Sequence, residues 1–156
     1  MAVIMSGKEM AEEMAHGVKS GVVLRKTKLS LAAVTVGGNP VINKFVAQKK
    51  KVAGELGVNF RVYDYPANIS TNELRQRIAV IVHDADPDGV IIQLPLPDHI
   101  NTQYILNSVP PEKDVDVLSA RAMGDFTVGK SKILPPIVGA IKALFDKYKI
   151  YYDDKY

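Results

Sequence analysis

The chain contains no cysteine, which excludes a disulfide framework and any thiolate metal site. Its histidines, His16, His83 and His99, stand too far apart in the sequence for a short zinc motif, so no metal ligand set is expected. Long apolar runs are also missing. No stretch approaches the roughly 18 apolar residues of a membrane span. The N-terminus, Met1-Ala2-Val3-Ile4-Met5-Ser6-Gly7-Lys8, has no basic region followed by a long apolar segment. Nor does one sign of charge dominate: 20 Lys and Arg against 17 Asp and Glu leave a formal net charge of +3, and the charges are interspersed, so no polyanionic partner is favoured. The expectation is a soluble, cytoplasmic, metal-free protein with no nucleic-acid and no membrane partner.

What is present is a chain of 156 residues with 47% hydrophobic content, enough for one core and one domain. Helical and extended patterns alternate along it. Ser6-Gly7-Lys8-Glu9 is a capping box, flanked by Met5 and Met10 at staple spacing, and predicts a helix to about Arg25 with the stripe Met10, Met14, Val18, Val22. Leu29 to Val36 is a nearly continuous apolar run, closed by Gly37-Gly38-Asn39-Pro40, and reads as a strand buried on both faces. Asn39 caps a second helix with Pro40 in its first turn and Gly57 just past its end. Phe60, Val62 and Asp64 alternate with Arg61 and Tyr63 in a second strand. Ser70-Thr71-Asn72-Glu73, stapled by Ile69 and Leu74, opens a third helix with the face Leu74, Ile78, Ile81, Val82, Ala85. Val90 to Leu94 is a third buried strand, ended by Pro95 and Pro97. A short helix near Asn101 to Val109 follows, then an extended or loop-like stretch from Pro110 to Val117 and a region without strong period to Lys132. A last helix over Pro136 to Tyr148 carries Ile137, Ile141, Leu144 and Phe145 on one face.

Strands separated by helices of this length predict βαβ units. The expected fold is an α/β, three-layer αβα domain with a small, mainly parallel sheet and a C-terminal helix packing back. Ligands in such sheets bind beyond the carboxyl ends of the strands.

One residue breaks its local pattern. In the second helix Ile42, Phe45, Val46, Ala53 and Leu56 form an apolar stripe, and Lys49 falls near its centre, whereas Lys44, Lys50 and Lys51 fall outside. Either the lysine stem packs at the core edge while the ammonium reaches water, or the amine faces a cleft and serves proton transfer. Gln93, a carboxamide at the end of an apolar strand, needs a partner in backbone or ligand. Gly37-Gly38-Asn39-Pro40 lacks dinucleotide or P-loop spacing and reads first as a tight turn. Asp114 and Asp116 would point the same way in an extended segment, which is weak ground for a metal pair. Lys50 and Lys51 read as a solvated face.

Four segments taken together are more specific than any one: Val36-Gly37-Gly38-Asn39-Pro40, Phe45-Val46-Ala47-Gln48-Lys49, Gly89-Val90-Ile91-Ile92-Gln93-Leu94-Pro95-Leu96-Pro97, and Pro111-Glu112-Lys113-Asp114-Val115-Asp116. In this order the chain resembles the bifunctional methylenetetrahydrofolate dehydrogenase/cyclohydrolase family over almost its whole length. The resemblance implies a folate-binding catalytic domain over 1–149 and a polar tail over 150–156 leading to an absent NADP-binding Rossmann domain. It implies tetrahydrofolate as substrate, NADP as a cofactor held by that other domain, and a homodimer for the full-length enzyme. It also implies roles: Lys49 as catalytic lysine, Gln93 as the glutamine that tunes it, Asp116 as the carboxylate on the pterin ring, and Phe45, Leu94 and Pro95 as further substrate contacts. The chain departs from the family at Phe45, where a tyrosine is usual, at Val117, where a glycine is usual, at Asp125 in place of an arginine, and at Pro135-Pro136-Ile137-Val138. Those departures leave a non-catalytic folate-binding or regulatory module as the alternative. A flavodoxin-like nucleotide binder rests on fold analogy alone.

Overall fold

The strand Ser30–Val36 (β1) is apolar on both faces because it lies in the middle of a three-stranded sheet. Its neighbours are Asn59–Tyr65 (β2) and Gly89–Ile92 (β3), in the order β2-β1-β3 and both parallel to it. Leu31 pairs with Phe60 on one side and Gly89 on the other. The computed structural model that shows this describes residues 4–25 and 27–151. β2 is an edge strand, with Phe60 buried, Val62, Tyr63 and Tyr65 half-buried, and Asn59, Arg61 and Asp64 exposed.

The chain leaves β1 for one edge of the sheet through Pro40–Glu55 (α2), then crosses from β2 to the opposite edge through Thr71–His83 (α3). Two right-handed crossovers in opposite directions put their helices on opposite faces. Ala33, Ile42, Val46, Ala53, Phe60 and Ile91 form the core under α2. Ala32, Val34, Val36, Leu74, Ile78, Ile81, Val90, Ile92 and the helix Thr102–Leu106 (α4) form the larger core under α3. The three layers are those expected.

Several boundaries differ from the sequence reading, each for a local reason. β3 stops at Ile92 rather than Leu94: the Gln93 amide still donates to the Val34 carbonyl at 2.9 Å, but Pro95 has no amide with which to continue the ladder. α3 ends at His83, so Ala85 is exposed in the turn before β3 and is not part of the helix face. Phe45 does not join the core stripe of α2; it is 61% exposed, whereas Ile42, Val46 and Ala53 are each 6% exposed. The region up to Lys132 contains a helix, Ala120–Thr127 (α5), capped by the Ser119 hydroxyl. The stretch 110–117 is a series of turns, the loop-like of the two forms expected.

The first and last helices, Gly7–Leu24 (α1) and Pro136–Tyr148 (α6), stand apart from the core. Of the α1 stripe only Met10 is buried, with Met14 and Val18 about half exposed, and α6 has no buried residue. The C-terminal helix packs back onto α1. Tyr148 Oη accepts from the Ser6 amide at 3.0 Å, taking the place of the reciprocal Glu9 bond of the capping box, and Lys147 Nζ pairs with Glu13 at 2.7 Å. Ile150 and Tyr151 are exposed; residues 152–156 of the expected polar tail lie outside the described residues.

Candidate functional site

The carboxyl ends of β1 and β3 face the start of α2 and the loop after Gln93, where the connections diverge to the two faces of the sheet. Gly37 and Gly38 make the turn out of β1 with φ of 86° and 60°, and a Cβ at Gly37 would stand 3.3 Å from that of Ala67. Asn39 Oδ1 accepts from the amides of Val41 and Ile42 at 2.8 and 3.4 Å. The first free donors of α2 are thus occupied by its own cap, so the glycine pair serves the turn rather than a phosphate.

Lys49 projects from α2 towards this end of β3. Its Nζ donates to Gln93 Oε1 at 3.0 Å, while Gln93 Nε2 donates to the Leu94 carbonyl at 3.0 Å. With its main-chain amide tied to β1 and its carboxamide nitrogen tied to Leu94, Gln93 can present only its carbonyl to the ammonium. Phe45 lies one helical turn before Lys49 on the same side of α2, with its ring open to solvent. Leu94 is half-buried against the core under α3 and Pro95 is exposed.

Asp116, in the turns over 110–117, lies within electrostatic reach of Lys49. Burial pushes its carboxyl above the ordinary range; the positive charge of Lys49 opposes this, and the negative charge of Asp114 adds to it. The two aspartates have separate surroundings. Asp114 is 5% exposed and its Oδ2 accepts from the amides of Leu118 and Ser119 at 3.0 and 2.8 Å. The segment is turned rather than extended, so the alternation that would aim the two the same way does not apply, and among the described residues no group of three or more His, Cys, Asp or Glu side chains is placed to hold a metal. Lys50 and Lys51 are exposed, with Lys51 paired to Glu55 at 3.9 Å.

The turn that delivers Asp116 is strained at the next residue. Val117 has φ of 55° and is 1% exposed, an unusual conformation for a buried β-branched residue. Both Val117→Gly and Val117→Ala remove the packed side chain, but only glycine removes the strain. Val117→Gly is expected to be the more stable of the two by about 1 kcal/mol in urea unfolding; the opposite order would show that the backbone relaxes freely.

Sequence reasoning missed Lys113 and Asp114 as the residues that hold this turn. The signal was present in Lys113-Asp114-Val115-Asp116, a run of charges between Pro111 and the buried Val117, but the partners are distant in sequence. A cleft of about 550 Å³ between the C-terminal ends of α1 and α2, lined by Lys19, Val22, Arg25, Leu56 and Gly57 among others, shares no residue with the Lys49 site. Among the described residues, the turn at 37–40 is the glycine-rich strand-to-helix turn, and its sequence lacks the spacing a dinucleotide requires. These residues do not fit NADP.

Residues 5–116 match the model of the family described as tetrahydrofolate dehydrogenase/cyclohydrolase, catalytic domain. The chain is 35% identical over 138 residues to the mitochondrial bifunctional methylenetetrahydrofolate dehydrogenase/cyclohydrolase of Gallus gallus, covering 86% of this chain and 41% of the relative. It is 33% identical over 150 residues to the bifunctional protein FolD of Nautilia profundicola, covering 94% and 53%. The crystal structure of the bifunctional enzyme FolD from Campylobacter jejuni superimposes with a TM-score of 0.89 at 31% identity, over 95% of this chain and 54% of that one. The chain spans about half the length of the curated relatives it matches.

Proposed function

Because this chain belongs to the tetrahydrofolate dehydrogenase/cyclohydrolase family, we propose that it supplies the folate-binding catalytic half of an enzyme that oxidises 5,10-methylenetetrahydrofolate with NADP and hydrolyses the resulting 5,10-methenyltetrahydrofolate to 10-formyltetrahydrofolate. The observation that carries the reading is the Lys49–Gln93 bond beside Asp116, at the end of the sheet where ligands of such folds bind.

In the hydrolytic step, water adds to the methenyl carbon and loses one proton. The resulting carbinol gives up its second proton to form the formyl C=O as the carbon–N5 bond breaks and N5 is protonated, so one of water's two protons ends on N5 and the other is released to solvent. Lys49 Nζ is the group placed to pass the proton that ends on N5. Gln93 Oε1 holds the amine in place, since its carbonyl has no other orientation available. Asp116 accepts hydrogen bonds from the pterin N–H groups and so fixes the ring relative to Lys49. The open ring of Phe45 stacks on the folate, and Leu94 and Pro95, in the loop after Gln93, are further substrate contacts. NADP supplies the hydride acceptor when bound, through residues other than these, and a homodimer and a cytoplasmic location belong to the same reading.

Titration calorimetry with a folate substrate analogue tests the binding half of the proposal. The expected result is saturable binding by the folded chain in the micromolar range. A folded protein that gives no binding heat at high micromolar ligand overturns it. Binding by a protein that leaves methenyltetrahydrofolate intact, even when joined to the rest of a relative's length, favours instead a folate-binding module that has lost catalysis. Phe45 is the feature that favours this second reading, because it offers no hydroxyl to the ligand.

A further inference from the structure

We propose that Lys113 is a positioning residue for Asp116: its side chain latches the turn that carries Asp116 to the turn that enters β3. The proposal rests on the folate-site reading above. Lys113 Nζ pairs with Asp86 Oδ1 and donates to the Pro87 carbonyl at 2.9 Å. Its own carbonyl accepts from the Val90 amide at 2.7 Å, and Asp114 continues this contact as a parallel bridge to Val90.

The residues from Lys113 to Asp116 divide the work. Lys113 reaches back to the turn before β3, Asp114 caps the amides of Leu118 and Ser119, and Val115 packs on Gly89. That packing is close: a Cβ at Gly89 would stand 2.5 Å from Val115 Cγ1 and 2.7 Å from Leu31 Cδ2. Asp116 is left within electrostatic reach of Lys49. Asp86 has φ of 41°, a left-handed conformation that its short side chain tolerates.

Geometry explains why this latch bears on the site. β3 presents Gln93 just past its carboxyl end, while Asp86 and Pro87 lie just before its start, a span of roughly 13 Å for four residues at the usual rise. Tying Lys113 to that start makes one short strand the common reference for both groups that flank Lys49. Lys113 has only 19% of its side chain exposed and Asp86 78%. An ion pair open to water on one side adds little to global stability, so its value lies in local placement.

The test uses Asp86→Asn, Lys113→Met and Lys113→Arg in the full chain. The first readout is the side-chain titration of Asp116 followed by NMR without ligand. In Lys113→Met the Asp116 carboxyl should move down towards the ordinary carboxylate range, because the freed turn admits water; Lys113→Arg should restore it. Loss of a nearby cation alone would move it up, and the other charges facing Asp116, Lys49 and Asp114, are unchanged. Asp86→Asn, altered at an exposed side chain, should show the same downward movement in smaller degree. The second readout is affinity for a folate analogue, expected to fall roughly three- to tenfold in Lys113→Met. An unmoved or raised Asp116 titration in folded Lys113→Met and Asp86→Asn overturns the latch. If the titration moves as expected while the parent chain binds no folate analogue, the latch stands and the folate reading fails.

Discussion

Lys49→Met, assayed in a fusion of this chain with the remainder of a full-length relative, is expected to hydrolyse methenyltetrahydrofolate at least about 100-fold more slowly than the parent. Methionine keeps an unbranched stem on the helix face that carries Ile42, Val46 and Ala53 while removing the amine, so the melting temperature should barely change. Lys49→Arg is the sharper comparison. Arginine keeps the charge and can still donate to Gln93, but a guanidinium does not give up its proton. If Lys49 passes a proton, Lys49→Arg fails with Lys49→Met; if it acts only as a positive charge, Lys49→Arg retains most of the rate. Hydrolysis within about threefold of the parent in Lys49→Met removes the lysine from the mechanism.

Asp116→Asn should weaken folate-analogue binding at least about tenfold, because charge-assisted bonds to the pterin are replaced by neutral ones and one acceptor becomes a donor. The same change should stabilise the free protein at neutral pH. Burial raises the carboxyl of Asp116 above its unfolded value, against the opposing charge of Lys49. The folded state therefore keeps its proton to higher pH than the unfolded state. The stability this contributes is present below the unfolded value near about 3.9 and is lost as pH rises through the folded one. At pH 7 the ionised group is a liability that asparagine does not carry. The melting temperature of Asp116→Asn should exceed that of the parent at pH 7, and the gap should narrow on acidification below the carboxylate range. A variant that binds the analogue as well as the parent, or that melts lower at pH 7, contradicts the assignment. A residue whose removal strengthens the fold and weakens the ligand is held for the ligand.

Lys49 was legible in the sequence because a charge inside an apolar stripe needs no tertiary information to stand out, and Gln93 stood out in the same way at the end of an apolar strand. The turns were legible too: Asn39-Pro40 and Ser70 are caps whose partners lie within three residues. Phe45 was harder. Periodicity places it in the stripe, but α2 meets the sheet through Ile42, Val46 and Ala53 and leaves that ring outside. α5 escaped notice because it is eight residues long with Gly124 inside it, and its start depends on Ser119 and on the buried Asp114 carboxylate. The separation of Asp114 from Asp116 was hidden for a related reason. The turn that parts them is fixed by contacts to Asp86, Pro87, Gly89 and Val90, none of which is near in sequence.

The pairing of α1 with α6 has an energetic consequence. The sheet, α2, α3 and α4 share two buried clusters and must open together, whereas the contacts of the outer pair include Ser6–Tyr148 and Glu13–Lys147, and among the described residues of the two helices Met10 alone is buried. Amides of the outer helices therefore exchange with solvent through partial openings of low free energy, while those of β1 wait for global unfolding. Lys49 and Gln93 sit on the slow-exchanging part, and the turn that carries Asp116 is tied to it through the Lys113 and Asp114 contacts with Val90, so α1 and α6 can come loose without disturbing the geometry of the site.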